Sequence, residues 1–357
     1  MTATTGASPA EESIRPQPGR GLRILAITNM WPEGGSFRGV FVEEQVEALR
    51  QLGAEVDVEI VAQSRGRRDY LLAAPRIRRR VREGNYDVVH IHHGMVGLAC
   101  RFIGPVPRVL GLYGHDVNWH WQRWITRIGW GGVAAKLYIS RRMAVAAGDS
   151  DGLVIPNGVD FNVFAPGDRA AARTKLGYGD GDRVVLFGGV PDNWVKGYDV
   201  FTDVLTALRD RGRPVQELVL PEPGQSREEV ATKFLAADVL LFTSRKGFEG
   251  SPTVVKEATA IGLPVVTTDV GDVAEVLHGV TPSAVVEYPE PWGTPQARAE
   301  LVARLTEQVA DVLDAGVRSN GRERNAWLAW DKIGESMIDM YRDVIRRSSS
   351  RLGETGS

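Results

Sequence analysis

Cysteine is nearly missing from this chain. Cys100 is the single one in 357 residues, so no disulfide forms within it, which suits a reducing compartment. Long apolar runs are missing too: nothing approaches the roughly 20 consecutive apolar residues a membrane-crossing helix needs. Neither charge sign dominates. A formal net charge of −2 gives no general pull toward nucleic acid or an anionic surface. No Gly-x-Gly-x-x-Gly fingerprint follows the first strand, which speaks against a dinucleotide-dependent oxidoreductase. There is no zinc-type cluster and no Asp-x-Asp placed as a metal site, since DVGD and GHD read as loops. Residues 1–20 lack the apolar stretch of a signal peptide and read as a disordered tail, as do residues 347–357. The expected location is the cytoplasm.

What is there is an ordinary globular composition, 43% apolar and 25% charged, in a chain too long for one comfortable core. Two domains of about 150 residues are the starting expectation. LRILAIT (22–28) is a short apolar run that reads as a buried parallel strand. A glycine-bearing loop, NMWPEGGSFRG, follows it. VFVEEQVEALRQLG then puts Val42, Val46 and Leu49 on one helical face, and Gly53 stops the helix. EVDVEIVA is the next strand, completing one unit of a doubly wound fold. The alternation continues through a basic helix near 71–82, DVVHIHH (87–93), RVLGLYG, KLYIS and GLVIPNG.

Pro, Gly and Asp clusters around a short helix mark residues 161–182 as a linker between a first domain at 21–160 and a second at 183–324. The second domain repeats the alternation with VVLFGG, ELVLPE, DVLLFTS and PVVTTD as strands. Two helical patterns close the chain, AELVARLTEQVADVLDAG and then a helix at 325–346. The fold class expected is therefore α/β, two Rossmann-like doubly wound parallel-sheet domains facing a cleft, with ligands at the carboxyl ends of the strands.

The segment richest in chemistry is FEGSPTVVKEATAIGLPVVTTDVGD. Ser251 suits an N-cap and Pro252 the first helical position, so the amides of Thr253 and Val254 would point out of a helix N-terminus that fits a diphosphate. Glu249 sits at the helix mouth. Eight residues of helix would set it within about 80° of Glu257. Ionised carboxylates accept hydrogen bonds, which suits sugar hydroxyls. On spacing alone, the favoured reading is Glu249 as an electrostatic helix cap and Glu257 as a solvated face residue.

EGSPTVVKEA, with GLPVVTTDVGDVAEVL after it, resembles the Glu-x7-Glu donor-site motif of the retaining glycosyltransferases of family four. IPNGVDFNVF resembles that family's interdomain linker, and WPEGGSFRGVFVEEQVEALRQLGAEV its first loop and helix. DVVHIHHGMVGLA resembles its acceptor-side strand, and AWDKIGESMIDMYRDVI the final helix that crosses back to the first domain. The resemblance covers roughly residues 22–345.

The resemblance implies a GT-B fold and metal-independent transfer, with retention, of a hexose-type sugar from a UDP- or GDP-sugar to a sugar, natural-product or lipid-linked acceptor. It implies no cofactor and no nucleic-acid partner. It puts the donor sugar on Glu249 and the nucleotide ribose on Glu257. Gly250, Ser251, Pro252, Thr253 and Val254 would line sugar and phosphates, and Lys196 would neutralise the diphosphate as charge builds on it. Gly35, Gly39 and Gly189 would let backbone approach the donor.

Two positions depart from the pattern. Family members commonly carry an arginine where this chain has Val190; Arg183, Arg245 and Lys246 are the candidates to compensate. Many carry a histidine where this chain has Tyr113. Tyr113 can still hydrogen-bond a sugar, so the acceptor-side candidates are His92, His93, Tyr113, His115 and Asp116, with His93 and Tyr113 joining Glu249 and Lys196 as catalytic candidates. Strand alternation sends His92 and His93 to opposite faces, and His93 is favoured for the cleft. The basic run RGRRDYLLAAPRIRRRVREG and the four tryptophans of NWHWQRWITRIGW fit either peripheral membrane contact or a solvated helix with packed tryptophans. Two other activities stay open: a nucleotide-sugar epimerase or hydrolase of the same fold, and a noncatalytic nucleotide-sugar binding subunit.

Overall fold

A computed structural model describes residues 17–32, 39–114, 120–220 and 225–354. The first half builds six strands: β1 (Arg23–Thr28), β2 (Glu55–Ile60), β3 (Val88–His92), β4 (Arg108–Leu112), β5 (Ala135–Tyr138) and β6 (Leu153–Val154). Between them lie α1 (Val40–Gln51), α2 (Asp69–Gly84), α3 (Gly94–Ala99), α4 (His120–Gly129) and α5 (Arg141–Ala146). Every pairing is parallel, in the order β2-β1-β3-β4-β5-β6.

The second half begins with α6 (Arg169–Leu176) and continues β7 (Val184–Gly188), α7 (Tyr198–Asp210), β8 (Gln216–Leu220), α8 (Arg227–Ala236), β9 (Val239–Phe242), α9 (Thr253–Ala260), β10 (Val265–Thr268), α10 (Val273–Val276) and β11 (Ala284–Val286). Its order, β8-β7-β9-β10-β11, follows the same winding rule as the first five strands of the first sheet. Both sheets therefore reverse winding beside their first strand, between β1 and β3 and between β7 and β9. The carboxyl ends there open a crevice. Strands β7, β9 and β10 are buried along their whole length, the mark of parallel strands covered on both faces.

The chain ends in α11 (Pro295–Ala315), α12 (Gly321–Arg324) and α13 (Trp330–Glu354). α11 covers the second sheet with Leu301, Leu305 and Val309, which are buried in its core. α13 returns to the first sheet. Trp330, Ile333, Met337 and Tyr341 share a core with Ile24, Val46, Leu49, Val88 and Val109. The two passages between the halves run side by side: the Val159 amide donates to the Leu328 carbonyl (2.9 Å) and the Trp330 amide to the Val159 carbonyl (3.2 Å).

Several sequence expectations change. Residues 17–20 are not tail, because the Gly19 amide donates to the Leu52 carbonyl (2.7 Å) at the end of α1. Nor does helix stop at 346: the ladder of α13 continues to Glu354. That helix starts at Trp330 rather than 325, because Ala326–Leu328 is a 3-10 turn held by Val159. The linker helix α6 packs on α8 of the second domain. β11, three residues at the sheet edge, carries too short an apolar run to stand out in sequence.

Candidate functional site

A cavity of about 890 Å³ lies between the two halves, the size and place expected of a ligand site in paired α/β sheets. The first half contributes Val40, Phe41 and Glu44 from α1, then Tyr113, Ile139 and Asn157. The second contributes the loop after β7, the mouth of α9, and Leu220, Arg227 and Val230 around the start of α8.

The mouth of α9 is built differently from the sequence expectation. Pro252, not Ser251, is the N-cap. The Ser251 hydroxyl is engaged elsewhere: it donates to Asp272 Oδ2 and accepts from Lys256 Nζ, each at 2.5 Å. Lys256 is fully buried, stands 3.3 Å from Asp272 Oδ2 and also donates to the Asn157 carbonyl at 3.2 Å. Burial depresses the Lys256 ammonium, against the pull of Asp272. This buried cluster fixes the turn that presents Gly250 to Val254 to the cavity.

Gly250 lies where the halves touch. A Cβ there would stand 2.7 Å from Met143 Sδ and 3.2 Å from Ile139 Cδ1. Arg142 grips both oxygens of Asp269 across the same boundary at 2.8 Å.

Glu249 precedes the helix, so the angular argument that paired it with Glu257 does not apply. Its Oε1 accepts from Lys196 Nζ and from the Ser244 hydroxyl, both at 2.6 Å. Lys196 closes a 3-10 turn (Trp194–Lys196) capped by the Asn193 side chain, and its ammonium lies 5.4 Å from the Phe242 ring centroid. Gly189 must be small for this geometry, since a Cβ would come within 2.7 Å of Lys196 Cγ.

One turn into α9, Glu257 Oε1 accepts from Arg227 Nη2 at 2.8 Å. The same nitrogen reaches Glu44 Oε1 of α1 at 3.0 Å. Glu44 Oε2 in turn accepts from Trp330 Nε1 at 3.0 Å. Burial raises the Glu44 carboxyl, with Arg227 opposing.

The cavity thus brings together Tyr113, Gly189, Lys196, Glu249, Gly250, Ser251, Pro252, Thr253, Val254 and Glu257. The histidines lie elsewhere. His92 is buried, bonded through Nε2 to Gln45 Oε1 (2.6 Å) and stacked on His90 at 4.1 Å. Burial lowers its pKa to about 3, so it is neutral at ordinary pH. His93 falls after β3 with φ at 85°, and its Nδ1 accepts from the Met95 amide (3.3 Å). The alternation argument fails for it because it is no longer strand. Gly39 caps α1, where a Cβ would meet the Met30 carbonyl carbon at 2.4 Å; local packing demands that glycine. Gly35, His115 and Asp116 lie outside the described residues.

Val190 lines the cavity, and none of the three compensating candidates does. Arg183 stands at the amino end of β7, away from the cleft. Arg245 binds the Trp194 carbonyl (2.9 Å) and Asp199 (2.8 Å). Lys246 pairs with Glu290. Sequence reasoning missed Glu44 and Arg227. Neither sits in a recognisable spacing; only domain packing unites them.

Residues 181–308 match the family described as Glycosyl transferases group 1, and residues 38–163 match Glycosyltransferase Family 4. Among curated relatives, the D-inositol 3-phosphate glycosyltransferase of Actinosynnema mirum is 28% identical over 320 residues, 74% of each chain. The putative glycosyltransferase EpsF of Bacillus subtilis is 27% identical, over 64% of this chain and 70% of its own. The D-inositol 3-phosphate glycosyltransferase of Segniliparus rotundus is 27% identical over 54% of this chain; like several other matched relatives, it is spanned for only about half its own length.

Of solved structures, the sucrose-phosphate synthase of Thermosynechococcus elongatus superposes with a TM-score of 0.70 at 16% identity, over 91% of this chain and all of its own. The glycosyltransferase WaaG gives 0.61 at 15%, over 90% and 99%. Anabaena Alr3699/HepE in complex with UDP-glucose gives 0.59 at 16%, over 93% and 100%. With matched families on both halves and two facing sheets wound alike, the chain has the GT-B fold and belongs to the group 1, family 4 glycosyltransferases.

Proposed function

We propose that the protein transfers a hexose-type sugar, with retention, from a UDP- or GDP-sugar to a hydroxyl of a sugar, natural-product or lipid-linked acceptor, without a metal cofactor. The observation that carries this reading is the cavity wall on which Lys196, Glu249, the mouth of α9 and Glu257 follow one another. The α9 N-terminus and Lys196 suit a diphosphate, Glu249 the hexose hydroxyls, and Glu257 the ribose. Tyr113 and Phe41, ring centroids 5.0 Å apart, form the facing wall where an acceptor would lie.

In this reading the bond from the anomeric carbon to the leaving phosphate oxygen breaks, and its electron pair stays on that oxygen. The acceptor oxygen bonds the anomeric carbon from the same face and gives its proton to the departing phosphate. Lys196 stabilises the growing phosphate charge, and closure of the two halves aligns the partners. A contact with anionic lipid has support from Leu71 and Leu72, both exposed on an α2 that also carries Arg78, Arg79 and Arg82.

The test is mass spectrometry of nucleoside diphosphate release across a panel of nucleotide sugars and acceptors, with and without EDTA. Release that survives EDTA and disappears in Glu249→Ala supports the reading. Release abolished by EDTA removes the metal-free mechanism, and unaltered release by Glu249→Ala removes the site.

A further inference from the structure

The cavity walls carry three carboxylates, Glu44, Glu249 and Glu257, against two cations, Lys196 and Arg227, among the described residues. A nucleoside diphosphate adds at least two further negative charges to this wall. Lys196 is the cation near Glu249. At Val190 an apolar side chain, 44% exposed, stands on the same wall, and Arg183, Arg245 and Lys246 do not line it. That leaves Arg227 as the one further cation the described cavity offers.

Its surroundings suit such a role. Arg227 opens α8 after a Ser226/Glu229 capping box, so its backbone is fixed while its side chain crosses the cavity. The guanidinium lies 4.7 Å from the Phe164 ring centroid and pairs with Glu257 and Glu44 through a single nitrogen, Nη2. Its buried Nε has no hydrogen-bond partner among the described residues. The fork geometry that makes arginine a two-pronged phosphate ligand is therefore not used by these carboxylates. Glu257 is four residues past the start of α9, about 6 Å along the axis from the amides that would face a diphosphate. A guanidinium held at Glu257 is thus about one helical turn, measured along the axis, from those amides.

We propose that Arg227 is the second phosphate-binding cation of the donor site, doing from α8 what a side chain at Val190 does not. When the nucleoside ribose takes Glu257, Arg227 gives up that carboxylate, keeps Glu44 as its partner on the other half, and turns its free nitrogens to the diphosphate. This rests on the donor reading above and extends it: phosphate recognition becomes linked to α1, because the carboxylate that steers Arg227 belongs to the opposite half.

The experiment is calorimetric titration of the full chain with UDP against uridine and GDP against guanosine, using whichever pair binds the wild type. For Arg227→Met we expect the diphosphate Kd to rise about tenfold or more while the nucleoside Kd stays within about twofold. Adding Val190→Arg to Arg227→Met should recover most of the lost diphosphate affinity. If Arg227→Met does not fold, Glu44→Gln/Arg227→Gln, which removes one of the stranded carboxylates, carries the same comparison. Equal weakening of nucleoside and diphosphate, or no weakening of either, would overturn the assignment; the first would mean that Arg227 acts on the ribose side through Glu257. A wild type that binds neither UDP nor GDP would bring down the donor reading itself and this assignment with it.

Discussion

Lys196 Nζ stands 2.6 Å from Glu249 Oε1, and the Ser244 hydroxyl donates to that same oxygen. The groups assigned to phosphate and to sugar therefore hold one another in place. Both are largely withdrawn from water, with side chains 25% and 13% exposed. If Lys196 stabilises the departing diphosphate, Lys196→Met should lower kcat/KM for nucleoside diphosphate release by about 10² to 10³. Steady-state release assays check this, and an unchanged kcat/KM would take the lysine out of the reaction.

The second prediction concerns Lys256, which is fully buried between Asp272, Ser251 and the Asn157 carbonyl. Removing one partner of a buried pair strands the other charge, so Lys256→Met should cost about 3–5 kcal/mol of stability. Pairing it with Asp272→Asn should return much of that loss. Urea midpoints of the two variants decide it; equal loss in both would mean that the lysine stem, not the charge, matters.

Acid stability should report on the buried histidines. The unfolded chain takes up a proton at each histidine near pH 6.5, whereas folded His92 resists until about pH 3 and His90 is held well below its usual value, both chiefly through burial. Between those limits the unfolded state binds more protons, so stability falls as pH falls, by up to about 1.4 kcal/mol per pH unit for each histidine. Urea midpoints between pH 6.5 and pH 5, above most carboxylate titration, should drop in the wild type and drop less steeply in His92→Gln. Identical slopes would contradict it.

The last helix is predicted to act as part of the first domain's core. Met337 is fully buried, and its sulfur accepts from Gln45 Nε2 at 3.0 Å. Met337→Ala should therefore destabilise the fold by about 2–5 kcal/mol. Trypsin sites on α1 and on the first sheet should open in the variant before those of the second sheet; cleavage starting in the second sheet would refute the placement.

Much of the architecture is legible locally because parallel strands buried on both faces are written as plain apolar runs. VVLF, VLLF and VVTT all became central strands. α1 showed its face through Val42, Val46 and Leu49, each buried as spaced. Reading failed where a side chain had competing partners. Ser251 has the chemistry of an N-cap, but a buried lysine and aspartate claim its hydroxyl. His93 has the position of a strand residue, but its positive φ ends the alternation that would have aimed it.

The sequence by itself determined the two alternating halves, because strand and helix periodicity depends only on near neighbours; Lys196, Glu249 and Glu257 were singled out by a family resemblance, and spacing alone did not assign them. Only the tertiary structure decided which groups share the cavity. Glu44 and Arg227 are 183 positions apart and belong to different halves. Their 3.0 Å contact exists because two separately wound sheets face one another and α13 fastens the chain's end to the first, bringing Trp330 to within 3.0 Å of the same glutamate. Contacts between domains follow from the shape of two completed cores, and no periodicity within either half encodes them.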